Sequence, residues 1–275
     1  MPKTLHVCPY CASPSYKSVL EVMGSDLDTY SVLIEANFVP PVYYNECSAC
    51  GLTYRSQTFT NEEAARLYQS AYRMHILKNC TAEEYFEKVI HIPAEQSELD
   101  AKIAHVADLL RNKPIQTVID IGCGVGAFMY KLHARNPALR VFGIEPTADF
   151  ARVASSKNHT HVVQGAYAGE NLSAYDLITC VHVLEHTERP WEFLDLVSRN
   201  MRVGAYLYVE TPSVRDINVL PANHDRFMSP HNYLFSAEFL GQRITERGLA
   251  VLDSGYAKTH RGKIDLRLFA VKKEL

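Results

Sequence analysis

The sequence has no long hydrophobic run and no cluster of basic residues. No apolar stretch approaches the roughly 18 residues that a membrane-spanning helix needs, and the first residues lack the basic-then-apolar order of a signal peptide. We therefore expect no membrane span and a cytoplasmic protein. The formal net charge is −3, which argues against a nucleic-acid partner, because polyanionic partners usually select a positive surface.

Cysteine, in contrast, is frequent, with seven in 275 residues. Disulfides are rare in cytoplasmic proteins, so the spacing of the cysteines favours metal binding. Cys8 and Cys11 form one C-x-x-C pair, Cys47 and Cys50 form a second pair, and 35 residues separate the two pairs. Four thiolates in this pattern predict one structural zinc ion with no open coordination position, and the alternatives are a redox dithiol or a coincidental pairing. The remaining cysteines are expected to pack as small hydrophobic side chains: Cys80, Cys123 and Cys180.

A glycine-rich turn follows a β-branched strand in Thr117-Val-Ile-Asp-Ile-Gly-Cys-Gly-Val-Gly126. Glycine lets the backbone approach a ligand, and the helix that follows presents free N–H groups toward it. Glu145 ends a second strand roughly twenty residues later, where a carboxylate can accept both ribose hydroxyls. Together these features predict a site for an adenosine-containing cofactor. The glycines fit G-x-G-x-G and, less well, the dinucleotide-binding pattern G-x-G-x-x-A that ends at Ala127.

The order of helices and strands predicts a doubly wound α/β fold. Strands are expected at 115–121, 139–145, 160–164, 175–181 and 204–210, with helices at 126–135, 147–158 and 190–201. A helix at 236–247 and two strands at 249–256 and 263–272 follow, and these last two strands can pair as a hairpin.

From about Lys113 onward the sequence resembles the class I S-adenosylmethionine (SAM)-dependent methyltransferases. The resemblance rests on the glycine turn, on Glu145 and on Tyr175-Asp-Leu-Ile-Thr-Cys-Val-His-Val-Leu-Glu-His186, which is similar to the family's fourth strand and following loop. It implies SAM as cofactor and a seven-stranded Rossmann-like sheet whose last strand is antiparallel. Ala166 stands where many relatives have an acidic adenine ligand, so Gln164 or backbone groups would replace it. The residues implied to bind the cofactor are Asp120, Gly122, Cys123, Gly124, Gly126, Glu145, Pro146, Gln164 and Val181.

Between the cysteine pairs and the cofactor domain, apolar residues recur at helical spacing after a capping sequence, Thr60-Asn-Glu-Glu63. We interpret the chain as a zinc-ribbon module at 1–60, a helical linker and substrate cap at 61–112, and a methyltransferase domain at 113–275. A polar segment at 213–234 is typical of a functional lid. Core packing explains the aromatic residues of the cap equally well. The candidate acceptor-binding residues are Tyr68, Tyr72, His75, Tyr85, His224 and Tyr233.

Three histidines are candidates for a general base. Methyl transfer to a hydroxyl requires loss of the hydroxyl proton, and a histidine that titrates near neutral pH suits this task. His182 and His186 end the fourth strand, and His231 lies in Ser229-Pro-His-Asn-Tyr-Leu-Phe-Ser236 after the fifth. A histidine in such a place can instead only cap a helix or order a loop.

The Glu185-His186 pair also resembles the divalent-metal ligands of some ubiquinone-pathway O-methyltransferases. Those proteins have a carboxylate where this sequence has His182, and hard cations prefer oxygen ligands. We therefore do not expect a catalytic metal here. Glu185 is expected to order the helix that Pro190 begins.

A zinc module before a methyltransferase domain, with His231-Asn-Tyr-Leu-Phe-Ser236 in a late loop, resembles bacterial sugar methyltransferases. Relatives that methylate carbon usually carry a further C-terminal domain, so O-methylation of a nucleotide-linked or polysaccharide sugar is the leading hypothesis. The open alternatives are C- or N-methylation of a sugar or other small molecule, methylation of RNA, and SAM binding without catalysis. A homodimer is also left open.

Overall fold

The computed structural model describes residues 3–22, 41–69, 80–228 and 230–274. Its first part consists of short strands, β1 (Lys3–Thr4), β2 (Tyr16–Val22), β3 (Val42–Cys47), β4 (Thr53–Arg55) and β5 (Gln57–Thr58). Helices follow at α1 (Asn61–Gln69), α2 (Ala82–Ile90) and α3 (Glu98–Leu109). Among the described residues, no helix combines the length and the apolar character that a membrane span requires.

Side chains that bind the first free backbone N–H groups set the starts of these helices. Thr60 accepts from Glu63 N at 3.2 Å, and Glu63 accepts from Thr60 N at 2.9 Å. Thr81 and Glu84 form the same reciprocal pair before α2. Both arrangements are capping boxes, and the helix start predicted at Thr60-Asn-Glu-Glu63 is confirmed.

The second part alternates strands and helices as the sequence predicts. The elements are β6 (Thr117–Ile121), α4 (Ala127–Arg135), β7 (Arg140–Glu145), α5 (Ala148–Asn158), β8 (Val162–Gln164), β9 (Leu177–Val181), α6 (Pro190–Asn200) and β10 (Tyr206–Pro212). They are followed by α7 (Asp225–Met228), β11 (Tyr233–Leu234), α8 (Ala237–Thr245), β12 (Leu249–Lys258) and β13 (Ile264–Lys272).

Seven of these strands form one sheet in the order β12-β13-β10-β9-β6-β7-β8. The pairs from β10 to β8 are parallel, whereas β13 runs antiparallel to β10 and pairs with β12 as a hairpin. Every residue of the central strand β6 is buried, as expected for a parallel strand covered by helices on both faces. The predicted α/β methyltransferase fold with an antiparallel last strand is confirmed.

A smaller sheet has the order β11-β4-β3-β2. Its edge strand β11 comes from the segment between β10 and α8, and pairs Tyr233 with Tyr54 and Leu234 with Thr53. The segment predicted as a lid therefore contributes a strand to the sheet that carries the second cysteine pair. The division at residues 60 and 112 stays a prediction. Strand β11 belongs to the region after residue 112 but pairs with a strand that precedes residue 60.

Candidate active site and cysteine cluster

The glycine turn lies between β6 and α4, at the carboxyl edge of the large sheet. Gly122, Gly124 and Gly126 have φ angles of 75°, 57° and 81°, a left-handed range that glycine adopts without strain. A Cβ at Gly126 would lie 2.9 Å from Ala154 Cα, and one at Gly122 would lie 2.6 Å from Val183 Cγ2. A Cβ at Gly124 would meet no atom within 4 Å, so the backbone there borders open space.

Glu145 is fixed beside this turn by backbone hydrogen bonds. Its carboxylate accepts from Gly124 N at 2.9 Å and from Thr147 N at 2.8 Å. A carboxylate can accept about four hydrogen bonds, so two backbone donors can orient it while it also accepts from ribose hydroxyls. This geometry fits the predicted ribose contact.

Asp120 lies in β6 beneath the turn and is 2% exposed. Thr179 Oγ1 donates to its carboxylate at 2.6 Å. Burial raises the pKa of Asp120 to about 7, the Thr179 hydrogen bond and Lys102 oppose this rise, and Glu145 adds to it. Because a nearby positive charge stabilises an ionised carboxylate, a cationic ligand on the turn would convert Asp120 to its charged form.

The other residues predicted to bind the cofactor surround the turn. Cys123 is buried inside it, and burial raises the pKa of its thiol, so it packs rather than reacts. Pro146 and Gln164 are exposed at the ends of β7 and β8, and Val181 is half-buried at the end of β9. Strands β7 and β9 neighbour β6, and β8 lies beyond β7; the cofactor contacts of these residues stay predictions.

The fold brings His186 and His231 together, although they are far apart in the sequence. Their ring centroids are 4.8 Å apart. Nδ1 of His186 lies 3.0 Å from the carbonyl oxygen of Pro230, and Nδ1 of His231 lies 2.9 Å from that of Arg226. A carbonyl only accepts, so each Nδ1 carries the ring proton and each Nε2 is the basic nitrogen.

Both imidazoles of this pair are neutral at pH 7. Burial lowers the pKa of His186, although the carboxylate of Glu185 opposes the change. Burial also lowers the pKa of His231, and the positive groups around it, including Arg226 and Arg55, lower it further. A neutral imidazole can accept a proton, as the predicted base must.

His182 has a different environment. Its backbone is left-handed, with φ at 56°, and its ring lies 3.1 Å from Glu185 Oε1, 3.6 Å from Glu210 Oε1 and 3.8 Å from Asp265 Oδ2. Burial and the charge of Lys102 lower its pKa, but the three carboxylates outweigh them and raise the pKa to about 9. His182 is therefore protonated at pH 7 and cannot accept a proton there.

Glu185 does not order the following helix, so that expectation is wrong. Its side chain is fully buried, with Oε1 beside His182 and Oε2 accepting from Thr211 Oγ1 at 3.0 Å. Helix α6 begins at Pro190 without a side-chain cap. The short 3₁₀ turn at 184–186 directs Glu185 back toward β10, and its Oε1 lies 3.8 Å from His186 Nε2.

Potential metal ligands also meet at this edge of the sheet. Two sets among the described residues each place their ligand atoms within 4.8 Å of one another, namely Glu185 with His186 and His231, and His182 with Glu210 and Asp265. The resemblance to ubiquinone-pathway O-methyltransferases instead aligned His182, Glu185 and His186 with the metal ligands of those proteins. A cation at the first set would compete with protonated His182 for Glu185, and a cation at the second set would have to displace a proton from His182, which is a ligand there.

Sequence reasoning missed the ion pairs behind His182. Lys102 Nζ lies 2.6 Å from Glu210 Oε1, Arg267 Nε lies 2.9 Å from Glu210 Oε2, and Arg226 Nη2 lies 2.7 Å from Asp265 Oδ1. Glu210 and Asp265 lie in β10 and β13, which are otherwise largely apolar. A carboxylate inside a buried strand is costly unless it is paired. The presence of Glu210 and Asp265 in these apolar strands could therefore have predicted the ion pairs.

The structure describes the side chains of three of the predicted acceptor-binding residues, Tyr85, His224 and Tyr233. Tyr85 packs against α5 with its ring 6.4 Å from that of Phe150. His224 Nδ1 accepts from Arg226 N at 3.0 Å, at the start of α7. Tyr233 is 1% exposed and donates its hydroxyl to the Glu188 carbonyl at 2.7 Å, so contact with an acceptor would require this packing to open. Outside the described residues lie Tyr72, His75 and the side chain of Tyr68.

The four cysteines of the two C-x-x-C pairs form one cluster. Cys8 Sγ lies 3.7 Å from Cys50 Sγ, and Cys11 Sγ lies 3.5 Å from Cys47 Sγ. All four sulfurs lie within 4.8 Å of one another. A tetrahedral zinc with Zn–S bonds of about 2.3 Å places its sulfurs about 3.8 Å apart, so the cluster fits this ion with little movement.

The fold and the glycine-turn site define the class I methyltransferase architecture, and comparison with known proteins agrees. Residues 90–254 match the family described as "Methyltransferase domain". This match covers more than half of the chain, which therefore belongs to that family. Residues 90–254 therefore form a SAM-dependent methyltransferase domain.

Among curated relatives, the tRNA U34 carboxymethyltransferase of Shewanella denitrificans (strain OS217) is 29% identical over 140 residues, covering 48% of this chain and 41% of the relative. That of Pseudoalteromonas translucida (strain TAC 125) is 30% identical over 128 residues, covering 44% and 39%. The chain thus spans about two fifths of the length of these relatives.

Among solved structures, magnesium protoporphyrin IX methyltransferase from Synechocystis PCC 6803 with bound SAH has a TM-score of 0.55 at 20% identity, covering 76% of this chain and 98% of that one. The YcgJ protein from Bacillus subtilis has a TM-score of 0.52 at 14% identity, covering 64% and 99%. At these identities the similarity establishes the fold alone.

Proposed function

We propose that this protein transfers the methyl group of SAM to a hydroxyl oxygen of a sugar, nucleotide-linked or part of a polysaccharide. The observation that carries the proposal is the pair of neutral histidines, His186 and His231. Each ring donates Nδ1–H to a backbone carbonyl and keeps Nε2 as a base. The pair follows β9 and β10 at the sheet edge that also carries the glycine turn.

The chemistry requires one proton acceptor. SAM supplies an activated methyl group on a sulfonium, and the electron pair of the broken C–S bond stays on sulfur, which gives S-adenosylhomocysteine. The acceptor oxygen forms the new C–O bond, and its proton passes to Nε2 of His186 or His231. Glu185, 3.8 Å from His186 Nε2, stabilises the imidazolium that results. In this scheme His182 is a charged group that holds Glu185 in place.

A sugar acceptor is supported by the way positive charge is distributed near the site. Lys102, Arg226 and Arg267 are each held in ion pairs with buried carboxylates. Paired cations of this kind do not attract a phosphate backbone, whose neutralisation by free Lys and Arg dominates nucleic-acid binding. A neutral, hydroxyl-rich polysaccharide requires no such charges, whereas the diphosphate of a nucleotide-linked sugar would have to be bound by other groups.

RNA is a second candidate, because the curated relatives reported above are tRNA carboxymethyltransferases. The similarity is about 30% over half of this chain or less. If RNA is the acceptor, tRNA binding should weaken steeply as salt rises, since phosphate contacts release counterions.

The first experiment is calorimetric titration with SAM and S-adenosylhomocysteine, with NADH as control. Transfer of tritiated methyl from SAM is then compared between sugar nucleotides, polysaccharide and tRNA.

His186→Ala and His231→Ala should each lower turnover by about 10²- to 10⁴-fold with SAM affinity unchanged. His133→Ala is the matched control, because His133 lies in the last turn of α4, far along this helix from the glycine turn. Full turnover in both active-site variants would refute the base assignment, and no turnover with any acceptor would favour a SAM-binding protein.

We also infer that Cys8, Cys11, Cys47 and Cys50 hold one structural zinc ion. The sulfur separations given above support this proposal. Four thiolates saturate the ion, so it would organise the ribbon rather than take part in methyl transfer.

A further inference from the structure

We propose that Tyr44 and Arg55 are positioning residues for His231, so that the four-cysteine ribbon completes the active site. This inference rests on the proposed function, in which His186 or His231 accepts the proton. Both residues belong to the ribbon sheet, at β3 and β4, whereas His231 lies far along the chain before β11.

The backbone of the histidine segment is part of the ribbon sheet. Arg55 N donates to the carbonyl oxygen of Asn232 at 2.9 Å, directly before the pairing of β4 with β11. The Asn232 side chain extends this pairing, because it accepts from Phe59 N at 2.8 Å and donates to the Phe59 carbonyl at 3.0 Å. Asn232 is fully buried, so these bonds are shielded from competing water.

Two ribbon side chains hold the main chain on either side of the His231 loop. The Tyr44 hydroxyl donates to the carbonyl oxygen of His231 itself at 2.8 Å. Arg55 Nη2 donates to the carbonyl of Phe227 at 2.5 Å and to the Tyr44 hydroxyl at 3.3 Å. Tyr44 and Arg55 are both 0% exposed, and the guanidinium also lies 5.4 Å from the centre of the Tyr44 ring.

These contacts fix the ring as well as the backbone. The His231 ring is oriented by the Arg226 carbonyl, which is the neighbour of the Phe227 carbonyl that Arg55 binds. On the other side, Asn232 N donates to the Glu185 carbonyl at 2.7 Å, in the turn that carries His186. The ribbon therefore touches both halves of the histidine pair, through Arg55 and through Asn232.

The cysteine cluster lies at the ends of the same two strands. Tyr44 and Cys47 share the six-residue strand β3, and Cys50 is followed closely by β4, which ends at Arg55. A small ribbon of this kind depends on its metal for folding. Zinc occupancy should therefore determine whether Tyr44 and Arg55 can hold His231.

The test is Tyr44→Phe, which removes one hydroxyl and keeps the ring, in the zinc-loaded full chain. Tyr43→Phe is the matched control, because Tyr43 neighbours Tyr44 on β3 but points to the other face of the sheet. The readout is NMR of ¹⁵N-labelled histidines, which reports the ring tautomers and the contact between the His186 and His231 rings. No methyl acceptor is needed. Zinc content, thermal stability and SAM affinity are measured in parallel.

In Tyr44→Phe we expect the intensity of the nuclear Overhauser cross-peak between the His186 and His231 ring protons to fall at least threefold. Zinc content should be retained, and SAM affinity should stay within twofold of wild type. Removal of zinc from wild type by a chelator should abolish the cross-peak. An unchanged cross-peak in Tyr44→Phe, or an equal loss in Tyr43→Phe, overturns the positioning role. An unchanged cross-peak without zinc overturns the link to the metal. Full turnover in both His186→Ala and His231→Ala would refute the base assignment of the proposed function and leave this geometric result intact.

Discussion

The glycine turn and the histidine pair lie at the same edge of one sheet, but they are built in different ways. The turn is complete within residues 117–126, and Glu145 joins it from the next strand along the chain. The histidine pair needs the 184–186 turn, the segment before β11 and the ribbon sheet. One site is encoded locally, and the other exists only after distant segments have packed.

This difference predicts different sensitivities. The turn depends on backbone angles and on the absence of Cβ atoms at its glycines, so it tolerates changes elsewhere in the chain. The histidine pair depends on hydrogen bonds between elements that are far apart in the sequence, such as the bond from the Tyr44 hydroxyl to the His231 carbonyl. Changes remote from His231 should therefore disturb the pair and leave the turn intact.

The largest effect is expected from Cys8→Ser. Cys8 is 1% exposed, and losing a ligand should lower zinc from about one ion per chain to a small fraction and cost several kcal/mol of ribbon stability. Metal analysis, limited proteolysis and thermal unfolding measure this effect. SAM affinity should change less than twofold, because the glycine turn does not contact the cluster. Cys80→Ser is the control and should keep the metal. If Cys8→Ser abolishes SAM binding while the rest of the chain stays folded, the two sites are not independent.

The reverse experiment is Glu145→Gln. The glutamine amide has no charge, and its NH₂ group would face one of the two backbone donors, Gly124 N or Thr147 N. An NH₂ group cannot accept a hydrogen bond, so one of these bonds would be lost. We expect SAM affinity to fall about 10- to 100-fold, or about 1.4 to 2.8 kcal/mol, as measured by calorimetry. The histidine NMR signals and zinc content should be those of wild type. Glu192→Gln, on the exposed face of α6, is the matched surface control. An unaltered SAM affinity would contradict the ribose role of Glu145.

The same contrast explains how much the sequence could predict. The glycine spacing and the β-branched strand predict the turn and the sheet, because both follow from local backbone chemistry. The ion pairs of His182 and the role of Glu185 were missed, since they depend on which carboxylates β10 and β13 place beside the loop. The contribution of β11 to the ribbon was missed for a similar reason. Strand β11 has only two residues, Tyr233 and Leu234, which is too short to show the alternation of apolar and polar side chains that predicts a strand.

A pair of glycine variants tests the turn itself. Gly126→Ala should cost about 2 to 4 kcal/mol of folding stability, because it combines left-handed strain of about 1 to 2 kcal/mol with a Cβ 2.9 Å from Ala154 Cα. Gly124→Ala should cost only the strain, since no atom lies within 4 Å of the new Cβ. Its Cβ would instead occupy the open space above the turn and weaken SAM binding. Denaturant unfolding and calorimetry separate the two effects, and equal losses of stability would contradict this account of the turn.

The smallest effect is the pH dependence that His182 adds on the histidine side. The folded-state pKa of His182, about 9, lies above its ordinary value of 6.5 because of the carboxylates of Glu185, Glu210 and Asp265, against the opposing charge of Lys102. Its stabilisation is therefore fully present below pH 6.5 and is lost as the pH rises through 9. In His182→Gln the free energy of unfolding should lie below that of wild type by about 1 kcal/mol near pH 6, since partial exposure weakens the ion pairs. This difference should shrink toward pH 9. The titration of Asp120 is common to both proteins and cancels in the difference. A gap that stays constant from pH 6 to pH 9 would show that His182 is not charged in the folded protein.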